Sequence, residues 1–469
     1  MTDVVVVGGG VAGLVAARDL AKGGAHVVLV EGSGVLGGMV RRHTVAGLDL
    51  DMAADSFATR NDAVGRLAIE LGLGNEITTP DPRGAWLMTR DGRTAPIPQT
   101  GLLGIPGSPM AADVLAVVGQ KAALRAQMDS LLPSLVGSRA PSLGELVRKR
   151  MGEQVLDDLV VPIVAGVHST HPDDLDPERV APGLRAALLR EGSLARAVLA
   201  LRARATAGSA VQGIRGGIVR LVDELVADME TYRVDVRLHT RATAIEEHAV
   251  DVRTDDGETE RLVAEHVLAS TADPARTARP VRTGIELVTL VVDQHELDAA
   301  PRGTGMLVHP DAPGVRAKAI THATVKWPWL AEAAGGRHVL RLSYATSDAA
   351  ATWGAIATSD ATATSDATAA VDATASGTAA GAVETGRSLP VDPDDAVGTR
   401  AAQDAAALLG VPVPASAVVG AARVRWHGPD TTAAGLADGV VGIGEASTGR
   451  GLAGIVGAAR TAAERILGS

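Results

Sequence analysis

The chain has 469 residues, enough for two or three domains, and its 46% hydrophobic and 21% charged residues are the balance of a globular protein. Its net charge of −11 argues against a nucleic-acid partner and gives no general attraction to an anionic lipid surface. With no cysteine, disulfides, iron–sulfur clusters, thiolate metal sites and cysteinyl cofactor links are excluded.

In chain order the first element is Val4-Val5-Val6-Val7, a short β-branched run of the kind that forms a strand buried on both faces of a parallel sheet. It leads into Gly8-Gly9-Gly10-Val11-Ala12-Gly13, where Gly8, Gly10 and Gly13 stand at the GxGxxG positions. A helix carrying Leu14, Ala17, Leu20 and Ala21 follows and stops at Gly23-Gly24. The strand His26 to Val30 then ends in Glu31. Strand, glycine turn, helix, strand and acid in this register predict a dinucleotide seat. The first glycine allows the tight turn, the second lets the backbone approach a pyrophosphate, and the third lets helix and strand pack closely. The helix N-terminus offers N–H groups to phosphate, and Glu31 can accept from ribose hydroxyls. This apolar start is expected to be a strand rather than a signal peptide, because Asp3 stands where a basic n-region would, and no run reaches the roughly 18–20 apolar residues of a membrane span. A cytoplasmic location is expected.

Beyond Glu31, Gly32 leads to a second glycine pair, Gly37-Gly38, within Glu31-Gly32-Ser33-Gly34-Val35-Leu36-Gly37-Gly38. This extension resembles the FAD-binding amine-oxidase-like flavoproteins, which implies FAD as the cofactor. Val45 to Asp51 alternates as a short hairpin strand, and Val64, Leu67, Ala68 and Leu71 form one face of a helix ended by Gly72. Between them, Ala53-Ala54-Asp55-Ser56-Phe57, together with Leu71-Gly72-Leu73, resembles the protoporphyrinogen and coproporphyrinogen oxidases. That family reads Gly-Pro-Asp-Ser-Phe here, and it has a basic residue after the glycine pair where this chain has Met39. The resemblance places Met39, Ala53, Ala54, Asp55 and Ser56 against the cofactor.

Gly101 to Pro109 resembles a Gly-Ile-Pro segment of the same family, with Ser108-Pro109 expected to open a helix as N-cap and first helical residue. Ser142-Leu143-Gly144-Glu145 is a capping box. From Ser142 to Leu175 the likeness is close, and it implies that Gly166 and His168 line a substrate pocket. His168, His171, Asp173 and Asp174 also invite a reading as metal ligands, but they lie off a regular helix and lack a second His-rich cluster, so no metal is expected. Residues 176–205, rich in Arg among Ala and Leu, read as helix with an arginine face in solvent. Ile214 to Met229 returns to the nucleotide domain, where Ile218, Leu221, Val222, Leu225, Val226 and Met229 form one helix face, followed by a strand at Val234 to Leu238 and the segment Thr240 to Ile245. There the resemblance sets Ala242 at an adenine contact, while ordinary core remains the alternative.

Gly284 to Val292, Gly305 to Val308, Ala317 to Thr324 and His338 to Tyr344 read as strands of a second sheet, and Lys326-Trp327-Pro328 matches the family as well. ATSDA recurs at 345, 357 and 363 within a low-complexity run, expected to be a disordered surface insertion at about 346–386. Asp392 to Leu409 restores a helix, and Arg425-Trp426 resembles a family strand whose Trp lies against the flavin. Finally, Gly444, Glu445, Gly451, Leu452 and Ala453 belong to a strand–turn–helix whose helix end would face the flavin ring. The family has Pro-Asp where this chain has Ala453-Gly454.

The expectation is an α/β fold with a Rossmann-like FAD-binding domain built from residues 1–75, 210–278 and 420–469. A helical insertion occupies 101–209, and a mixed-sheet substrate domain takes 76–100 and 279–419. The resemblance implies non-covalent FAD and oxidation of coproporphyrinogen III by O2 in haem biosynthesis, with transient handover to the next enzyme of that pathway. It further implies that flavin N5, rather than a side chain, does the chemistry. Protoporphyrinogen IX as substrate, another amine-oxidase-like reaction, and a flavin-binding homologue without turnover are the alternatives.

Overall fold

The computed structural model describes residues 2–59, 62–168, 170–204, 211–271, 284–345, 389–390, 396–427, 436–444 and 451–468. The low-complexity run and Glu445 lie outside these residues.

The chain opens with strand β1 (Val4–Val7), helix α1 (Val11–Lys22) and strand β2 (Val27–Val30). Every residue of both strands is buried, as their uniformly apolar sequences require. They form the middle of a five-stranded sheet in the order Asp235–Arg237, β2, β1, His266–Ala269 and Val441–Gly442. All its pairings are parallel. One face is covered by α1, the helix Arg220–Thr231 and the C-terminal helix Leu452–Leu467, whose Leu14, Leu225 and Val456 share a core. The other face meets an antiparallel meander of Thr240–Ile245, Ala249–Thr254 and Thr259–Val263 through Val5, Val28, Ile245 and Val250.

A second, eight-stranded mixed sheet runs from Leu389–Pro390 through Val418–His427, Gly284–Val292, His338–Ala345, Ala319–His322, Gly305–Val308 and Trp86–Met88 to Thr94–Pro96. The helices Ala112–Gln127, Leu143–Met151, Val161–His168, Leu184–Glu191 and Leu194–Arg204 form a third layer with its own apolar core. Arg150 is fully buried in that layer beside Asp129, although the sequence run Val147-Arg148-Lys149-Arg150 looks solvated. Among the described residues no helix is long and apolar enough to cross a membrane.

Four local expectations are corrected. Val45 to Asp51 is not one strand but the turn and second arm of a hairpin: β3 (Arg42–Val45) pairs with β4 (Leu48–Asp51) across Ala46 and Gly47, whose φ values of 49° and 75° suit the twist of a two-residue turn. Ser108-Pro109 does not cap a helix; the Ala111 N–H donates to the Ser108 carbonyl in a turn, and the helix begins at Ala112. Ile218, expected on the helix face, lies in the turn ahead of it, because the helix starts only at Arg220, after Gly216 and Gly217 at φ 85° and 97°. Thr324 lies past the strand Ala319–His322, in the short helix Ala323–Lys326. The Ser142 capping box is present, with the Glu145 N–H donating to Ser142 Oγ at 3.1 Å.

Candidate functional site

The glycine turn is built as its spacing demands. Gly8 takes φ +100°, and a Cβ on Gly13 would run into the Gly8 carbonyl oxygen, so both positions exclude a side chain. Gly10 is extended and caps α1 without a side-chain hydrogen bond. A Cβ there would meet only Gly38 Cα, at 3.9 Å, so its outward face is open. Val11, Ala12 and Gly13 form the buried first turn of α1, whose N–H groups converge on that open face.

Glu31 closes the seat. It accepts from the Gly9 N–H at 2.7 Å through Oε2 and from the Ser33 N–H at 2.8 Å through Oε1, which fixes the carboxylate at the edge of the turn. Gly32 lies against the Arg241 side chain. Gly37 and Gly38, at φ 104° and 61°, fold back so that the Gly37 N–H donates to the Gly9 carbonyl at 2.7 Å and Gly10 bridges to Gly37. Met39 is exposed. Arg41, two residues on, supplies a cation that sequence reading passed over: its Nη2 donates to Ser33 Oγ at 3.2 Å and to the Val35 carbonyl at 3.3 Å.

Ser270, also missed, joins the two ends of the chain. It follows the strand His266–Ala269, donates from Oγ to the Val7 carbonyl at 3.0 Å, and lies against both Gly8 and Gly444. Its signal in the sequence is only a lone serine after an apolar strand. Gly451 caps the C-terminal helix at φ +95°, with nothing within 4 Å of where its Cβ would stand. Leu452, Ala453 and Ala54 pack against the same core as α1. A cradle of open glycine faces, two helix N-termini and an oriented carboxylate fits a flavin dinucleotide.

The segment after β4 is held from the second sheet. Asp55 Oδ1 and Oδ2 accept from Lys326 Nζ at 2.9 and 3.0 Å, and Arg341 Nη1 stands 3.4 Å from Oδ2. Ser56 Oγ donates to Asp55 at 3.0 Å, and Arg341 Nη2 donates to the Ala53 carbonyl. Burial opposes charge on Asp55, but Lys326 and Arg341 outweigh it and hold the carboxyl at about 2. Asp51 behaves oppositely. Burial pushes it up to about 6, although it accepts from the Ile218 and Val219 N–H groups at 3.0 Å each. His43, buried and facing Arg341, is pushed down to about 4 by burial first and by that cation second.

A family model described as flavin containing amine oxidoreductase matches residues 11–427. The chain belongs to the flavin-containing amine oxidoreductase family. A flavin is therefore the cofactor its cradle serves. Among curated relatives, the coproporphyrinogen III oxidase of Mycobacterium leprae is 34% identical over 227 residues, which is 47% of this chain and 49% of that protein. The Staphylococcus aureus enzyme of the same name is 23% identical over 70% of this chain and 75% of its own. The chain thus spans about half the length of several curated relatives it matches, such as the M. leprae protein. In fold it resembles a protein of Exiguobacterium sp. 255-15 that carries a provisional protoporphyrinogen oxidase name, with TM-score 0.74, 21% identity, and coverage of 99% and 98% of the two chains. It also resembles a putrescine oxidase, at TM-score 0.60 and 14% identity over 100% and 99% of the chains.

Four further assigned residues lie on other elements, although the strand of Ala242 begins where the Thr240 N–H donates to the Glu31 carbonyl at 2.9 Å. Ala242 is buried in the core between the parallel sheet and the meander, beside a bulge in the strand pairing. Trp426 pairs through its backbone with Ile285. Gly166 lies within the helix Val161–His168 rather than beyond its end, and a Cβ there would press on Leu307 Cδ2 at 2.8 Å. His168 is half-buried at the end of that helix, and His171 Nδ1 accepts from the Asp173 N–H at 3.2 Å.

Proposed function

We propose that this chain is an FAD-dependent porphyrinogen oxidase converting coproporphyrinogen III to coproporphyrin III, with O2 as the final electron acceptor. The observation carrying the reading is the joint presence of the Glu31-to-Gly38 cradle and of a flavin-oxidoreductase match over residues 11–427, with curated relatives of this name among the matches. When bound, FAD supplies the two-electron acceptor. Glu31 orients the ribose, the N–H groups of Val11 to Gly13 hold the pyrophosphate, and the helix starting after Gly451 presents its positive end to developing negative charge. The absence of cysteine favours non-covalent binding. A cytoplasmic location, and handover of product to the next haem-pathway enzyme, belong to the same reading.

Purified protein should be yellow and release intact FAD on denaturation. Anaerobic addition of coproporphyrinogen III should bleach the flavin, and admitting O2 should restore its colour. Faster bleaching by protoporphyrinogen IX would make that the substrate. Bleaching by amines or polyenes alone would move the reading to another reaction of the family, and flavin that no substrate bleaches would make the chain a binding homologue without turnover.

A further inference from the structure

The loop that follows Glu31, Gly32 to Val35, is held by two arginines from distant parts of the chain. Arg41 reaches back to it through Nη2, and the Arg241 guanidinium carbon stands 3.5 Å from where a Cβ on Gly32 would be. Backbone bonds fix the same loop to the strand that carries Arg241: the Thr240 N–H donates to the Glu31 carbonyl and the His239 N–H to the Ser33 carbonyl, at 2.9 and 3.1 Å. The Arg241 side chain therefore lies one residue beyond the carboxylate that closes the cradle. Directly opposite Arg241, on the strand Ala249–Thr254, stands Arg253. Their side chains leave one face of the pair, where like charges repel, and neither forms an ion pair with another described residue. Asp255, just past that strand, is taken by His239 Nδ1 at 2.7 Å. A bound anion at this loop relieves a repulsion that the described side chains leave standing.

We propose that Arg41 and Arg241 bind the adenosine diphosphate half of the flavin dinucleotide, and so select FAD over the shorter FMN. The inference rests on the reading that Glu31 orients the adenosine ribose. A ribose seated on Glu31 carries adenine on one side and the diphosphate on the other, so both approach the groups that grip Gly32 to Val35. Arg41 follows the glycine pair packed on Gly10, which puts it on the diphosphate side. Arg241 adjoins Gly32 and is the adenine-side group, with a planar guanidinium on which a base can stack. These residues bind and position the cofactor, and no proton or covalent step is assigned to them.

The test compares wild type with Arg41→Gln and Arg241→Gln. Each variant should release FAD from diluted holoprotein about tenfold faster, the size of one lost charge-assisted contact. After flavin removal, ADP binding measured by calorimetry should weaken by a similar factor. Added salt should weaken it less than in wild type, because one screened charge contact is gone. Riboflavin, which lacks both phosphate and adenosine, should bind wild type and variants alike. Arg41→Lys, which keeps the charge, should hold ADP nearly as tightly as wild type. Arginines that only brace the loop would lower the melting temperature of deflavinated protein and weaken riboflavin and ADP together, with the salt dependence unchanged. That result, or unchanged FAD release and ADP affinity, overturns the proposal. Arg241 is exposed, so Arg241→Gln decides alone if Arg41→Gln does not fold. Wild-type protein that takes up no flavin defeats the cofactor reading before any variant is made, whereas normal flavin content with unchanged release in the variants defeats this proposal alone.

Discussion

Replacing Arg150 with methionine removes the cation from the middle of the helical layer while keeping much of its bulk. Arg150 is 0% exposed and its partner Asp129 1% exposed, with Nε donating to Asp129 Oδ1 at 2.5 Å. The same guanidinium donates to the carbonyls of Pro133 at 2.8 Å, Asp129 at 2.9 Å and Gly192 at 3.1 Å. After substitution Asp129 keeps the Ala195 N–H, at 3.0 Å, as its remaining described partner. Breaking one side of a buried ion pair costs about 3–5 kcal/mol, since the surviving charge stays desolvated. The carbonyls of Asp129 and Pro133 keep the Leu132 and Val136 N–H groups as donors, at 3.2 and 3.0 Å, so the lost ion pair sets the cost of Arg150→Met. Denaturant unfolding followed by circular dichroism should show the loss, and Arg150→Met with Asp129→Leu should recover much of it, because an apolar pair leaves no orphan charge. A cost below about 1 kcal/mol for the single variant, far under that range, would refute the reasoning.

Gly10→Ala should fold normally and lose flavin, because the added methyl meets only Gly38 Cα, at 3.9 Å, while entering the space of the pyrophosphate; flavin stoichiometry beside a melting curve checks this. Asp51 and Asp55 should give opposite pH dependences. The carboxyl of Asp55, held at about 2, contributes stability that is complete above 3.8 and is lost as pH falls through 2. Asp51, raised to about 6, penalises the folded state above pH 6, and the penalty fades as pH falls toward 3.8, an effect of about 3 kcal/mol. Asp51→Asn should therefore flatten the stability–pH curve between 4 and 6, and a slope that survives the substitution counts against this assignment. Gly166→Leu should destabilise the protein by about 1–3 kcal/mol through overpacking on Leu307. Measured per bound flavin, turnover should be unchanged if packing is its whole role, and abolished if Gly166 also walls the substrate pocket.

The nucleotide cradle was legible because its physics is local. Gly8 to Gly13, Glu31 and Gly37-Gly38 lie within 31 residues, and a turn, a helix start and a strand end follow from residue type alone. The Lys326–Asp55 pair was not legible, since its partners are 271 residues apart and meet only where the segment after β4 reaches the short helix Ala323–Lys326. Arg150 was hidden for a related reason. A basic run on a helix is normally solvated, and its burial depends on Asp129 and Gly192 arriving from other segments. Gly166 was matched to a pocket by family likeness, whereas the sheet beneath it supplies a packing reason that no single-sequence pattern contains. The hairpin turn was missed because alanine seldom adopts the left-handed conformation that Ala46 holds.

The order of strands in the parallel sheet has a consequence for synthesis. Its central pair is made first, yet its neighbours come from residues 235–237, 266–269 and finally 441–442, and the helix Leu452–Leu467 that covers α1 is the last element of all. At about 5–20 residues per second, the N-terminal glycine turn waits tens of seconds on the ribosome for the segments that complete it. The helical layer, drawn from residues 112–204, depends mainly on nearer neighbours and can condense meanwhile. Cofactor capture is then expected to follow synthesis of that strand and helix, and nascent chains lacking them should show a folded helical layer with no affinity for flavin.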